Sequence, residues 1–553
     1  MHTLSRRIAK NSRKDNIYQR QHQLKYGLRI AKTLIILCSP DFSSFFMPIT
    51  LSFLNKPRQV FLAVLLLTTL LKVWLAAAIP LTGDEAYFYQ WGKHLDWGYY
   101  DHPPVGGWLL ALMQTLSYAV LVLRLPAILL WIAVTFGMID CLRRLQPNAG
   151  DKTWWMASLF LLMPFTWSLN LVTTDTPLIF FLFFSGYAFL RGELDRDLRW
   201  HVACGALLGL ALLSKYFAGF IAIAYAVYFI FIVRSRRGTL SLFLIALCTL
   251  PFVAINILYN ATHCWNNILF NLVNRNQHSH FSLSQTALYG AILLYLVTPW
   301  LGWQVLRAHR WRDHWLLANL FVLPFGIFLV LSFYKVIGLH WVLAFLPFVF
   351  LFAACVIDDA AMFKKMCRYT LWLGLPHMVA LCLLIFLPNS VWQHTKLHAS
   401  IVMHKETPRL ITILKAGLPD DAVLMTRSYS QSALLAYYLQ TDVPLFGAGS
   451  FHARMDDELT DFRPFEGRTM RIVDTRPIPQ EELAPFFENV SVSIVSVDGA
   501  KFWVATGQGF QFQAYFNTVL TKTAQDFYRI PAWLPTHGCV FLDRYALWPA
   551  KPI

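Results

Sequence analysis

The sequence predicts an all-α polytopic membrane domain of about eleven transmembrane helices, followed by a small C-terminal α/β domain on the periplasmic side. Three observations predict this architecture. Hydrophobic residues make up 56% of the 553 residues and charged residues only 14%, a balance outside the range of soluble domains. Long apolar segments recur from Phe61 to Leu387. Beyond Pro388 the hydropathy falls, and helix-like and strand-like segments alternate.

The apolar segments are predicted to be membrane helices, because a helix of about 20 apolar residues crosses a hydrocarbon layer of ~30 Å. Together they define a transmembrane domain over residues 60–387. Their approximate bounds are 60–80, 124–142, 154–171, 177–190, 200–214, 217–233, 239–258, 286–304, 315–333, 341–357 and 369–387.

The basic residues indicate the orientation of the chain. Five loops on one side of the predicted bundle carry three Lys or Arg residues each, and the basic N-terminus lies on the same side. The positive-inside rule makes that side cytoplasmic, so the tail, residues 388–553, is expected in the periplasm of a bacterial inner membrane. This distribution accounts for the net charge of +16 without a nucleic-acid partner. The loop residues are Arg143, Arg144, Lys152; Arg191, Arg196, Arg199; Arg234, Arg236, Arg237; Arg307, Arg310, Arg312; and Lys364, Lys365, Arg368.

Residues 1–59 are predicted to be a basic cytoplasmic leader. Their short apolar stretch, Leu34–Cys38, cannot span a bilayer. The first long apolar segment leads directly into more membrane, which argues against a cleavable signal peptide. Met47, followed by Lys56 and Arg58, would make an ordinary start, and we expect it to be the true initiator.

The nine cysteines predict neither a disulfide framework nor a metal site. Most lie in or beside apolar segments, and only Cys264 and Cys539 clearly fall outside the membrane. Without a paired spacing such as CxxC, buried thiols acting as small apolar side chains are the expected state.

Three outer segments are larger than simple connectors, namely 81–123, 259–285 and the tail 388–553. The first contains Val105–Leu116, which fits an amphipathic helix at the membrane interface. The tail is predicted to be α/β and has no glycine-rich nucleotide fingerprint, so no chemistry is assigned to it. Its predicted helices are Glu406–Ala416 and Ser430–Leu439, and its predicted strands are Ala422–Met425, Met470–Val473 and Val490–Val497.

Acidic residues concentrate in the first outer segment, in the run GDEAYFYQWGKHLDWGYYDHPP. Asp84 and Glu85 follow the first span directly, at a height where a lipid phosphate could reach them, and Asp101 and His102 close the run. A solvated loop charge is the simple alternative for any one of these residues. Their clustering at a membrane exit favours a reactive site.

A further carboxylate, Asp175 in TTDTP, lies between the third and fourth spans on the same outer face as Asp84. Before Pro177, an Asp or Thr is a normal helix start, so capping alone could explain it. Capping does not exclude a catalytic role.

Basic residues are few on the outer face, where the positive-inside rule disfavours them. They could anchor the chain to lipid headgroups or neutralise a phosphate. His278 and His280 form half of a possible metal site but lack an obvious third ligand, so the sequence assigns no cofactor and leaves a divalent metal open. The outer-face residues are Lys215, Arg275, His278, His280, Lys335 and His340.

The first outer segment resembles that of membrane glycosyltransferases of the C superfamily, in particular the bacterial relatives of protein O-mannosyltransferases and of the aminoarabinose transferase that modifies lipid A. The likeness covers residues 60–387 and leaves out the tail. It includes the Asp84–Glu85 pair, the Asp101–His102 pair before two prolines, RLPA at Arg124–Ala127, TDTP at Thr174–Pro177, LLSK at Leu212–Lys215 and the Lys335–His340 loop.

The resemblance implies a sugar donor carried on a polyprenyl phosphate, transfer at the outer face, and an acidic residue of the first loop at the reaction centre. The acceptor would be lipid A, another glycan or a protein. One departure matters: His102 stands where the aminoarabinose transferase has a lysine, so the donor phosphate is held differently or another sugar is used.

The residues suit this chemistry. A leaving phosphate needs cations, for which Lys215, Arg275, Lys335 and His102 are candidates. An acceptor hydroxyl needs a carboxylate base, for which Asp84, Glu85 and Asp175 are candidates.

Two other functions fit a polytopic chain. A lipid or solute transporter would place charges at the bilayer midplane in repeated halves, whereas here the charges cluster at span ends. An envelope assembly protein could bind a lipid-linked sugar without turnover. The sequence favours the transferase and does not identify its sugar.

Overall fold

A computed structural model describes residues 56–274, 280–447 and 454–548. The predicted leader lies outside the described residues as far as residue 55, and so does the proposed start at Met47. Arg275 and His278 are outside them as well.

The membrane domain is helical, as predicted. Within the described residues, eight helices are long and apolar enough to cross a membrane, and each coincides with a predicted span. The chain is therefore a multi-pass membrane protein. These helices are Pro57–Ala78, Val120–Leu145, Asp175–Leu194, Tyr216–Val233, Arg236–Thr262, Arg312–Ser332, Leu339–Val356 and Ala360–Phe386.

The other three predicted spans are shorter or broken. The fifth is the 15-residue helix Leu198–Leu212. Proline interrupts the other two, because its ring cannot continue the hydrogen-bonded ladder of a helix. The third divides at Pro164 into Asp151–Leu162 and Pro164–Trp167, and the eighth bends by 93° between Leu283–Val297 and Pro299–Arg307. The total of eleven spans stays a prediction.

The helix Leu346–Val356 forms the centre of the bundle, and all of its residues are buried. Its Phe348 ring packs on Asp175–Leu194 at Gly186, where no side chain blocks the ring. A Cβ atom on Gly186 would lie only 2.3 Å from the Phe348 ring. Close packing of this kind holds the span ends that carry the polar residues in fixed positions.

Two helices of the first outer segment lie over the bundle, Gly83–Lys93 and Val105–Leu116. The second coincides with the predicted amphipathic helix, and its Leu112 and Leu116 are exposed. The first begins with a capping box, in which the Thr82 side chain accepts from the Glu85 backbone N–H while the Glu85 carboxylate accepts from the Thr82 backbone N–H.

The tail is an α/β unit, as predicted. The strands of its sheet are β1 Val423–Thr426, β2 Met470–Asp474, β3 Phe487–Val497 and β4 Ala500–Phe510. They have the order β1-β2-β4-β3, with β1 parallel to β2 and the other neighbours antiparallel. Asp498 and Gly499 turn β3 into β4, and both have positive φ, as a two-residue hairpin turn requires.

Helices pack on the sheet, and Tyr429–Leu439 also packs on Gly83–Lys93 of the first outer segment. The first two correspond to the predicted tail helices, with the first longer than predicted. The tail helices are His398–Lys415, Tyr429–Leu439, Met455–Leu459, Gln480–Leu483, Phe512–Tyr515, Thr521–Phe527 and Val540–Tyr545.

The tail is also joined covalently to the second outer segment. Cys264 and Cys539 form a disulfide with a Cα–Cα distance of 4.5 Å. The His537 backbone N–H donates to the Ala261 carbonyl beside it at 2.7 Å. The expectation of thiols acting only as small apolar side chains is therefore wrong for this pair, since a separation of 275 residues leaves no local spacing signal.

Candidate functional site

A cavity of about 780 Å³ opens between the outer span ends, the first outer segment and the tail. It brings together residues that the sequence placed in four separate loops. Seven predicted site residues line it: Asp84, Asp101, His102, Asp175, Lys215, Lys335 and His340. Tyr429 and Arg454 of the tail line it too.

Asp84 lies in the first turn of the Gly83–Lys93 helix, where backbone N–H groups and the helix dipole favour a negative charge. Its side chain is exposed to the cavity. The Tyr429 hydroxyl donates to Asp84 Oδ1 at 3.1 Å. The carboxylate is thus both accessible and oriented by a residue from another part of the chain.

Glu85, the neighbouring predicted catalytic candidate, does not line the cavity. It is 3% exposed and pairs with Arg124, whose Nη2 and Nε donate to its two oxygens at 2.6 and 2.8 Å. The backbone N–H groups of Thr82 and Val172 also donate to it, each at 3.1 Å. Through these contacts Glu85 connects the first outer segment to the second span and to the loop before the fourth span.

Asp101 and His102 form a second polar cluster in the wall of the cavity. His102 Nδ1 lies 3.4 Å from Asp101 Oδ1, and Arg454 Nη1 lies 3.0 Å from Asp101 Oδ2. Burial opposes the ionisation of Asp101, but His102 and Arg454 outweigh it and lower the pKa of this carboxyl to about 2. Asp101 is therefore charged at neutral pH, and it keeps Arg454 and the His102 ring at the cavity wall.

Asp175 lies at the start of its helix, but capping is not its only interaction. Lys215 Nζ donates to both of its carboxylate oxygens at 2.8 and 2.9 Å. His340 Nε2 is 3.9 Å from Asp175 Oδ2. Lys215 therefore points into the cavity toward a carboxylate and not toward lipid headgroups.

Lys335 lines the cavity beside His340, at the outer end of the Arg312–Ser332 span. His280 is exposed and is absent from the cavity lining. Since His278 lies outside the described residues, the metal half-site stays a prediction. Within the residues that the structure describes, no group of three His, Cys, Asp or Glu side chains could hold a metal ion.

Sequence reasoning missed Tyr429 and Arg454. The argument that singled out Lys215, a cation on the outer face without an obvious reason, applies equally to Arg454. The tail contains several arginines and no recognisable motif, so its sequence does not single out Arg454.

The chain is similar in part to a known family and to one curated protein. The family described as dolichyl-phosphate-mannose-protein mannosyltransferase matches residues 101–259. A lipid A galacturonosyltransferase, RgtD from Rhizobium johnstonii, is 26% identical over 246 residues, which are 42% of this chain and 50% of the relative. The chain thus spans about half the length of that relative.

The fold matches two crystal structures of ArnT from Cupriavidus metallidurans. The apo structure gives a TM-score of 0.56 at 17% identity and covers 80% of this chain and 97% of ArnT. The structure bound to undecaprenyl phosphate gives a TM-score of 0.55 at 16% identity over the same shares. The resemblance to the glycosyltransferase C superfamily is confirmed, and the fold match extends into the tail, beyond the predicted limit at residue 387.

Proposed function

We propose that this chain is an integral membrane glycosyltransferase that moves a sugar from a polyprenyl phosphate to an envelope acceptor at the periplasmic face. The observation that carries the proposal is a single cavity at the outer span ends in which an exposed carboxylate, Asp84, faces several cations. The printed activity of RgtD favours lipid A as the acceptor. The undecaprenyl phosphate bound to ArnT favours a polyprenyl phosphate carrier.

Asp84 is the proposed general base. An acceptor hydroxyl attacks the anomeric carbon of the donor sugar, and its proton passes to the Asp84 carboxylate. The bond from the anomeric carbon to the phosphate oxygen breaks, and its electron pair leaves with the polyprenyl phosphate. Asp175 is less suited to the task, because both of its oxygens accept from Lys215.

The departing phosphate needs positive charge, and we assign Lys335, Lys215 and His102 to it. These residues come from three different segments but line one cavity. His102 takes the place of a lysine in this proposal and is oriented by Asp101. Arg275 stays a prediction, since it lies outside the described residues.

The function is tested by comparing mass spectra of envelope glycolipids and glycoproteins from cells with and without the gene. In cells without the gene, one class of envelope glycolipid or glycoprotein should lose the mass of a sugar residue, and complementation should restore that mass. The purified chain should release free polyprenyl phosphate when given that acceptor. A modification that persists while the lipid-linked sugar accumulates would point to a transporter, and unchanged spectra would overturn the proposal.

Lys335→Met should weaken binding of bare polyprenyl phosphate by roughly 5- to 150-fold, which corresponds to about 1–3 kcal/mol for a charge-assisted contact. Methionine keeps much of the apolar stem and removes only the cation. Lys93→Met is the control, because Lys93 pairs with Asp442 outside the cavity. If the two variants bound polyprenyl phosphate with equal affinity, Lys335 would serve only to anchor the chain to lipid headgroups.

We further propose that the N-terminus is cytoplasmic and that residues 388–553 form a periplasmic domain beside the transmembrane domain 60–387. The five basic loops support this orientation. The disulfide between Cys264 and Cys539 supports it independently, since such bonds persist in oxidising compartments.

A reporter fused after Arg237 should therefore behave as cytoplasmic, and one fused after Ser400 as periplasmic. Arg237 follows the Tyr216–Val233 span, and Ser400 follows the Ala360–Phe386 span. If both reporters were found on the same side of the membrane, the proposed orientation of the chain would be wrong.

A further inference from the structure

The tail packs directly on the catalytic candidate through the start of one helix. Tyr429–Leu439 begins above the first turn of Gly83–Lys93, which carries Asp84. A Cβ atom on Gly83 would lie only 2.7 Å from Ser430 Cβ, so the absence of a side chain at Gly83 permits the contact. The residue before Asp84 and the residue after Tyr429 therefore touch.

Tyr429 is held in place by more than its hydroxyl. Its ring packs edge-on against the Tyr87 ring at 4.9 Å, and the Arg454 guanidinium carbon lies 4.0 Å from its centroid. Burial raises the pKa of Tyr429 to about 12, so the hydroxyl keeps its proton at neutral pH and can only donate to the carboxylate. The ring is thus fixed by one contact from the membrane domain and another from the tail.

We propose that Tyr429 is a positioning residue for Asp84, through which the tail orients the carboxylate for proton transfer. The inference rests on the proposed function. The Tyr429 hydroxyl donates its hydrogen bond to Asp84 Oδ1, which leaves Oδ2 to take the proton of the acceptor hydroxyl. Tyr429 keeps its own proton throughout.

The same tail residues reach the other half of the cavity. Arg454, stacked on Tyr429, pairs with Asp101, which in turn holds His102. A shift of the tail would therefore disturb the proposed base and a proposed phosphate ligand together. This coupling gives the tail a part in the reaction that its sequence did not indicate.

Tyr429→Phe tests the proposal, because it keeps the ring and removes only the donor. We expect kcat to fall by roughly 10-fold or more, as for a lost hydrogen bond to a charged group, with the donor KM within about twofold.

Tyr437→Phe is the matched control. Tyr437 lies on the same helix, and its hydroxyl donates to the Tyr118 carbonyl at 2.7 Å, at the same interface but away from the cavity. A purely structural role for Tyr429 predicts the same small effect in both variants, without a loss of kcat that is selective for Tyr429→Phe. That result would overturn the proposal.

A double variant separates this inference from the proposed function. With Asp84→Asn in place there is no carboxylate to orient, so adding Tyr429→Phe should cause no further loss of turnover. If Asp84→Asn alone kept full turnover, the proposed base would be wrong. If Asp84→Asn lost turnover and Tyr429→Phe multiplied that loss independently, only the positioning role would be overturned.

The packing contact can be tested without touching either polar group. Gly83→Ala should push Ser430 away and lower turnover as Tyr429→Phe does. Ser430→Gly removes the opposing Cβ atom and should restore turnover in the double variant. A loss that Ser430→Gly leaves unrepaired would count against the docking contact as the means of orienting Asp84.

Discussion

Asp84→Asn is expected to fold and to bind polyprenyl phosphate as the wild type does, yet to turn over about 10²- to 10⁴-fold more slowly. Asparagine has nearly the same size as aspartate, and its side-chain oxygen can still accept from the Tyr429 hydroxyl. What it loses is the ability to take a proton from the acceptor. The rate of polyprenyl phosphate release, divided by the amount of folded protein, measures the effect.

Asp96→Asn is the control for this experiment. Asp96 lies in the same outer segment, accepts from the Trp97 backbone N–H and faces His263 at 3.5 Å, outside the cavity. Its loss should change the rate little. If Asp84→Asn kept wild-type turnover and Asp175→Asn lost it, Asp175 would be the general base instead. If both variants kept full turnover, neither carboxylate of this face would act as the base.

Arg124→Met is expected to destabilise the protein by about 3–5 kcal/mol, the range for removing one partner of a buried ion pair. Arg124 is 1% exposed. Besides Glu85, it donates to the backbone carbonyls of Ala76, Ile79 and Pro80 at the end of the first span. Methionine would leave the Glu85 carboxylate buried without its main counter-charge. Denaturation of the purified protein in detergent would measure the loss.

Arg144→Met provides the comparison, because Arg144 pairs with Asp140 on an exposed helix face and such pairs contribute about 0–1 kcal/mol. The double variant Arg124→Met, Glu85→Gln should recover part of the lost stability, since no unpaired charge is left. Its folded fraction should also keep turnover, because Glu85 does not line the cavity. Equal stability of Arg124→Met and Arg144→Met would contradict a structural role for the pair.

Much of the cavity was predictable because simple rules decide which span ends share a face. Hydropathy located the spans, and the basic loops assigned their sides. Asp175, Lys215 and Lys335 could then be placed on one face although they lie in separate loops. Their direct pairing and the size of the cavity needed the structure.

The distinction between Asp84 and Glu85 was not predictable. Adjacent residues on a helix point about 100° apart, and the sequence does not say which of the two faces solvent. The structural role of Glu85 did have a local sequence signal, since a threonine three residues before a glutamate is the pattern of a capping box. The contribution of Tyr429 lay beyond such rules, because 345 residues separate it from Asp84.

The covalent link between Cys264 and Cys539 sets an order for the making of this protein. It closes a loop of 275 residues, within which both Tyr429 and Arg454 lie. Because Cys539 follows Tyr429 and Arg454 in the sequence, the bond can close only after all the residues that line the cavity have been synthesised. A nascent chain that ends at the last membrane span lacks Tyr429 and Arg454 and therefore has an incomplete cavity lining.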